Sequence, residues 1–163
     1  MNEASGSGPL RLHRAVVRPE WVDYNGHMSE PYYVLVFGHA TDALLDHIGL
    51  DDAARRRTAT SVYTVEAHIN YLAEAHEGEG LTIETQLLGH DAKRAHIHHA
   101  MIRDDDRRLL ATTELMLVHV DKTSVKAAPF APGPEARLAA IAAAHAGLPR
   151  PKYAGRAIRL PAG

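Results

Sequence analysis

The run Trp21-Val22-Asp23-Tyr24-Asn25-Gly26-His27-Met28-Ser29 places three chemically capable side chains, Asp23, Asn25 and His27, at i, i+2 and i+4. An aspartate can take a proton or attack a carbonyl carbon. A histidine can move protons or orient a carbonyl. An asparagine amide can donate to an oxyanion or position water. The run leads into a predicted helix, whose free amides from about Gly26 to Glu30 turn the positive end of the helix dipole outward. A carbonyl oxygen that becomes negative in a transition state is stabilised there. The same string also serves as turn chemistry, with Asp and Asn bonding the backbone.

Such a loop needs a helix behind it and a core beneath it. The spacing predicts a helix over Glu30–Ile48, with Ser29 as N-cap, Pro31 in the first turn and Gly49 at the stop. Tyr33, Phe37, Ala40, Thr41, Leu44 and Ile48 recur at helical spacing and form its apolar face. A first strand is predicted over Leu10–Val17, and Asp51–Arg57 reads as a short polar stretch. From Ser61 to Leu72 the period changes to two, which places Tyr63, Val65, Ala67, Ile69 and Tyr71 on one buried face of a long strand. Further strands follow around Leu81–Leu87, Arg94–Arg103 and Leu109–Asp121, then a Pro/Gly hinge and a helix over Glu135–His145.

The predicted order is one strand, one long helix, four strands in meander and a late helix. This is an α+β fold in which a curled antiparallel sheet buries the apolar face of a central helix. Its exposed edges favour pairing into a homodimer or homotetramer. Residues 1–9 read as a flexible tail and residues 10–163 as a single domain.

The 163 residues are 45% apolar and 23% charged with a net charge of −2, a globular composition without the basic excess that nucleic-acid binding calls for. With no cysteine, the chain has no disulfide, thiolate ligand or thiol nucleophile. The first nine residues lack the basic and apolar regions of a secretory signal, and no run approaches the roughly 18 apolar residues of a membrane span. The expected setting is the cytoplasm. Twelve histidines raise the question of a metal, and His96, His98 and His99 are the densest group. On a strand, however, His96 and His98 share a face while His99 points away. His68 or His119 would have to approach across the sheet, and no H-E-x-x-H string is present, so neither metal nor cofactor is expected.

The run Pro19–Met28, followed by Tyr32, Tyr33, Phe37 and Ala40, resembles the opening of hotdog-fold acyl-CoA thioesterases of the 4-hydroxybenzoyl-CoA thioesterase-like superfamily. The strand segments Thr64–Ile69, Glu84–Gly89 and Glu114–Asp121 also resemble that family, so the likeness covers roughly residues 12–160. Within the family, PEWVDYNGHMSE, FGHATDALLDHIG and the tail AHAGLPRPKYAGRAIRLP resemble the betainyl-CoA thioesterases of bacterial carnitine catabolism. The resemblance implies a hotdog fold and hydrolysis of an acyl-CoA thioester. Asp23 would be base or nucleophile, Asn25 and His27 would orient water or the acyl carbonyl, and Ser29 would lie at the substrate. A trimethylammonium acyl group would call for aromatic faces and a carboxylate, which Trp21, Tyr24, Tyr32, Tyr63 and Glu66 could supply. Lys93, Arg94 and Arg55-Arg56-Arg57 could meet the CoA phosphates or serve as solvated surface. Two alternatives share the fold. One is an acyl-CoA hydratase or dehydratase, whose D-x-N-P-x-H string differs from this one by a proline and one residue of spacing. The other is a non-catalytic acyl-CoA-binding module.

Overall fold

The computed structural model describes residues 8–162. The flexible-tail reading of residues 1–9 therefore falls, apart from its last two positions, outside the described residues. Strand β1 (Leu10–Val16) leads through a 3-10 turn (Pro19–Trp21) to helix α1 (Glu30–His47). Helix α2 (Asp52–Thr58), strands β2 (Thr60–Tyr71), β3 (Gly80–His90), β4 (Arg94–Arg103), β5 (Leu109–Asp121) and β6 (Lys126–Ala127), and helix α3 (Pro132–His145) follow. An antiparallel sheet in the order β1-β3-β4-β5-β2 curls around α1, the hotdog arrangement.

Two apolar clusters fill the space between helix and sheet. Near the start of α1, Tyr33, Val36 and Phe37 pack with Val17, Met28, Leu81, Ile83, Met101 and Leu110. Near its end, Leu44 and Ile48 pack with Leu87, Ile97, Leu117 and, from α3, Leu138 and Ile141. A polar layer runs between them. The Thr41 hydroxyl lies 3.0 Å from His99 Nε2, the Thr85 hydroxyl lies 2.8 Å from His99 Nδ1, and the His99 ring stacks on Phe37. With both ring nitrogens satisfied, the imidazole is tolerated at full burial.

Three expectations change. The predicted four-strand meander holds only for β3-β4-β5, because β2 pairs with β5 and not with β3. Residues 72–79 carry the chain across the end of the sheet: the Leu72 and Ala73 amides donate to the Leu110 carbonyl, and the Gly78 amide donates to the Val17 carbonyl. The odd positions of β2 do not form one buried face either. A bulge between Thr64 and Glu66 resets the alternation, and β2 is an edge strand, so Tyr63, Val65, Ala67 and Tyr71 are all exposed. The polar stretch after Leu50 is the short helix α2. Asp51 caps it by accepting from the Ala54 amide at 2.8 Å, and Ala59 closes it in the left-handed region.

Burial holds two histidines neutral. His99 is pushed down to about 3 by desolvation and then by His98 and His13. His98 is pushed down to about 4, chiefly by desolvation, with Glu114 opposing and His96 adding to the shift. Both folded values lie below the unfolded 6.5, so the unfolded chain binds more protons as acidity rises. The stability these groups confer is complete above about pH 6.5 and is lost as pH falls toward 4 and then 3, at most about 1.4 kcal/mol per pH unit for each. The thermal midpoint should fall between pH 7 and pH 4, and the slope should be shallower in His98→Gln. An identical slope in that variant would remove His98 from the account.

Candidate active site

The loop between the 3-10 turn and α1 is built by short-range bonding. The Asp23 amide donates to the His27 carbonyl and the Gly26 amide to the Asp23 carbonyl, while Val22 and Met28 pair as an antiparallel bridge. Gly26 sits at φ +83, a left-handed conformation that admits glycine without strain. Asp23 Oδ1 accepts from the Asn25 amide at 2.8 Å, an Asx turn, and Oδ2 carries no hydrogen bond among the described residues. The turn chemistry and the free carboxylate oxygen therefore coexist in one side chain.

The amides expected to be free at the helix start are mostly used. Gly26 donates to Asp23, Met28 to the Ala75 carbonyl at 2.7 Å, and Ser29 to the Trp21 carbonyl at 2.9 Å. Among the described residues, those of His27 and Glu30 have no acceptor, and both flank the start of α1. Ser29 stands at the N-cap, yet its hydroxyl does not cap. The next positions explain this: Pro31 has no N–H, and the Tyr32 amide already donates to the Ser29 carbonyl.

The loop is fastened to the β2–β3 connection. The Tyr33 hydroxyl donates to the Ala73 carbonyl at 3.3 Å and accepts from the Ala75 amide at 3.2 Å. Trp21 is buried, stacks on Tyr32 at 5.6 Å, and has the Arg18 guanidinium 5.4 Å from its ring. These two aromatic residues are thus packed against neighbours. Tyr24 projects from the loop at 97% exposure. Tyr63 and Glu66 lie on β2, in register with Val118 and Met116.

Beside the loop opens a cleft of about 450 Å³, lined by His27, Met28, Glu30, Tyr33, Tyr71, Leu72, Ala73 and Glu74. His27 Nε2 lies 3.6 Å from Glu74 Oε1, and the Tyr71 hydroxyl donates to Glu30 at 3.3 Å. Of the sequence-predicted residues only His27 lines the cleft, with Asp23 and Asn25 in the same loop. Glu30, Tyr71 and Glu74 were not singled out from the sequence. Glu30 reads there as an ordinary first-turn acid, and Tyr71 as one more apolar position in an alternating strand.

Several charged groups elsewhere are paired. His96 Nε2 lies 2.7 Å from Glu114, which also accepts from the Gly155 amide. Burial works against ionisation of Glu114, but the bonds from Gly155 and His96 and the nearby charges of His96 and Arg150 outweigh it and hold the carboxyl below its ordinary value. Arg94 is bonded to Asp91, Arg56 pairs with Asp52, and Arg55 donates to the Leu50 carbonyl. Among the described residues, no three His, Asp or Glu side chains converge to hold a metal ion, and no helix is long and apolar enough to cross a membrane.

A curled sheet around one helix, with an Asp-Asn-His loop at the helix start, is the hotdog arrangement expected from the sequence. Residues 17–141 match the Thioesterase-like superfamily, and the chain belongs to it. A betainyl-CoA thioesterase of Pseudomonas aeruginosa is 48% identical over 152 residues, 93% of this chain and 96% of that protein. A fused L-carnitine dehydrogenase/betainyl-CoA thioesterase of Agrobacterium fabrum is 50% identical over 93% of this chain, which spans 31% of that protein's length. A Pseudomonas putida KT2440 crystal structure, assigned as a thioesterase, superposes with a TM-score of 0.83 at 41% identity and covers 96% of this chain and 100% of that one.

The Tyr33 hydroxyl gives the site a stability test. Tyr33→Phe leaves the Ala75 amide and the Ala73 carbonyl without their partner, which should cost about 1–3 kcal/mol in urea unfolding. A loss within error of zero would show that the connection holds the loop without it.

Proposed function

We propose that this protein hydrolyses betainyl-CoA to betaine and CoA. The observation that carries the reading is the 48% identity, over nearly the full length of both chains, to a protein named for that activity. The loop geometry supports it. In the reaction, water supplies an oxygen to the acyl carbon, the C–S bond breaks, and the CoA sulfur leaves as a thiol while the acid leaves as a carboxylate. Asp23 offers one carboxylate oxygen fixed by the Asn25 amide and one free oxygen to take a proton from water or to attack the carbonyl. The His27 and Glu30 amides and the Asn25 side chain are the proposed donors to the developing oxyanion, and His27 orients the acyl carbonyl. Ser29, at the N-cap with an unused hydroxyl, is a proposed substrate contact. Trp21 and Tyr32 contribute by holding the loop, and Tyr24 by covering the substrate from the exposed tip.

The proposed assembly is a homodimer joined along β2. That strand is a sheet edge with Tyr63 49% and Val65 61% exposed, an unpaired apolar edge of the kind that a second copy covers. Glu66 and Tyr63 then reach a substrate across the joint. The cytoplasmic setting follows from the substrate, since CoA thioesters are made and used inside the cell.

Thiol release should be measured on betainyl-CoA beside aryl, short-chain and long-chain acyl-CoA. Preference for betainyl-CoA is the expected result, and preference for another thioester would overturn the substrate. Asp23→Asn should lower kcat by a factor of hundreds or more with the fold unchanged. Full activity in a folded Asp23→Ala protein would dismiss the carboxylate mechanism. Val65→Lys should shift the particle from dimer toward monomer in light scattering, whereas an unaltered dimer would place the joint elsewhere.

A further inference from the structure

The cleft beside His27 has an unusual wall for a site that meets a CoA ester. Its carboxylates are Glu30 and Glu74, the latter facing His27 at 3.6 Å and His76 at 3.5 Å, and among the described residues no lysine or arginine lines it. An anionic acyl group or a phosphate would be repelled there, while a cation would be drawn in. The remaining wall is aromatic and apolar: Tyr33, Tyr71, Met28, Leu72 and Ala73. Tyr71 is half-exposed, and its ring is fixed on two sides. The Tyr33 ring meets it in a T-shaped contact at 5.4 Å, and its hydroxyl is tied to Glu30. An aromatic face held still beside two carboxylates suits a cation that cannot donate a hydrogen bond, because such a cation is read by ring quadrupoles and diffuse charge.

Position matters as much as chemistry. In a betainyl thioester a single methylene separates the quaternary nitrogen from the reacting carbonyl carbon. The ammonium subsite must therefore adjoin the catalytic loop. His27 and Met28 belong to that loop and line the cleft, and Glu30 supplies both a free amide at the helix start and a carboxylate in the cleft wall.

We propose that the cleft formed by Tyr71, Tyr33, Glu30 and Glu74 is the subsite for the substrate's trimethylammonium group. Tyr71 provides the ring face, Tyr33 holds that ring, and the two glutamates supply the countercharge. This rests on the betainyl-CoA reading, and it makes the cleft, rather than a general acyl pocket, the source of selectivity.

The test compares betainyl-CoA with 3,3-dimethylbutanoyl-CoA, in which a quaternary carbon replaces the nitrogen at the same shape. In the wild type, kcat/KM should favour the charged substrate. In Glu30→Gln, Glu74→Gln and Tyr71→Leu that ratio should fall about tenfold, mainly through KM, while Tyr71→Phe retains most of it. Tetramethylammonium should inhibit the wild type competitively and lose potency in the same three variants, which checks the subsite without turnover. If the wild type favours betainyl-CoA but the ratio is unmoved in all three variants, the subsite is wrong and the functional reading stands. If the wild type cleaves other thioesters and not betainyl-CoA, the functional reading falls and takes the subsite with it.

Discussion

The Tyr33 hydroxyl ties the helix to the segment that carries half of the cleft wall. It spans the Ala73 carbonyl and the Ala75 amide, and the Ala75 carbonyl in turn receives the Met28 amide. These bonds join the loop bearing Asp23 and His27, and the first turn of α1 that follows it, to the sequence-distant β2–β3 connection bearing Glu74. Remove the hydroxyl and the spacing of the two walls is left to the Met28–Ala75 bond and to the Tyr71–Glu30 and His27–Glu74 contacts at the cleft mouth. The ring also fixes Tyr71, so one buried side chain organises both the backbone frame and the exposed aromatic surface.

The helix holds this position because its two apolar clusters grip the sheet on either side of a polar layer. Thr41 from α1, Thr85 from β3 and His99 from β4 meet there. An apolar core tolerates sliding by one helical turn, since leucine replaces leucine at little cost. A buried imidazole that needs both its nitrogens satisfied does not, because a shift leaves it unpaired. The layer therefore acts as a register lock for α1, and the position of the Asp23–His27 loop at the head of α1 depends on that register.

The sequence makes the helix, its start and the meander strands readable because each carries its own local signal. Ser29-Glu30-Pro31 marks a start, Gly49 a stop, and period two marks the strands. Other features are decided at long range. The place of β2 beyond β5 follows from the bonds of Leu72 and Ala73 to Leu110, and no local pattern encodes them. The bulge at Thr64–Glu66 resets an alternation that looks unbroken in the letters. The Asp-Asn-His loop was readable because its residues lie within five positions. The cleft was not, because it joins residues 27–33 to residues 71–74 and so exists only once the chain has closed over itself. Ser29 shows how a sound local rule can fail in detail. The position is an N-cap, but a proline and a backbone carbonyl remove the work its hydroxyl would have done.

The acidic wall poses an electrostatic question that the substrate itself can answer. Thioester hydrolysis builds negative charge on the carbonyl oxygen, and carboxylates nearby raise the energy of that state. Glu30 stands at the very turn whose amides are proposed to hold the oxyanion. For a neutral acyl group this arrangement works against catalysis. A substrate with a fixed positive charge one methylene from the carbonyl reverses the sign. Its ammonium offsets part of the glutamates' charge on binding and so weakens their opposition to the helix-start amides proposed to act on the oxygen. The same cation also withdraws electron density from the adjacent carbonyl and makes it easier to attack. In the proposed complex the glutamates therefore select for a charge that reduces their own penalty.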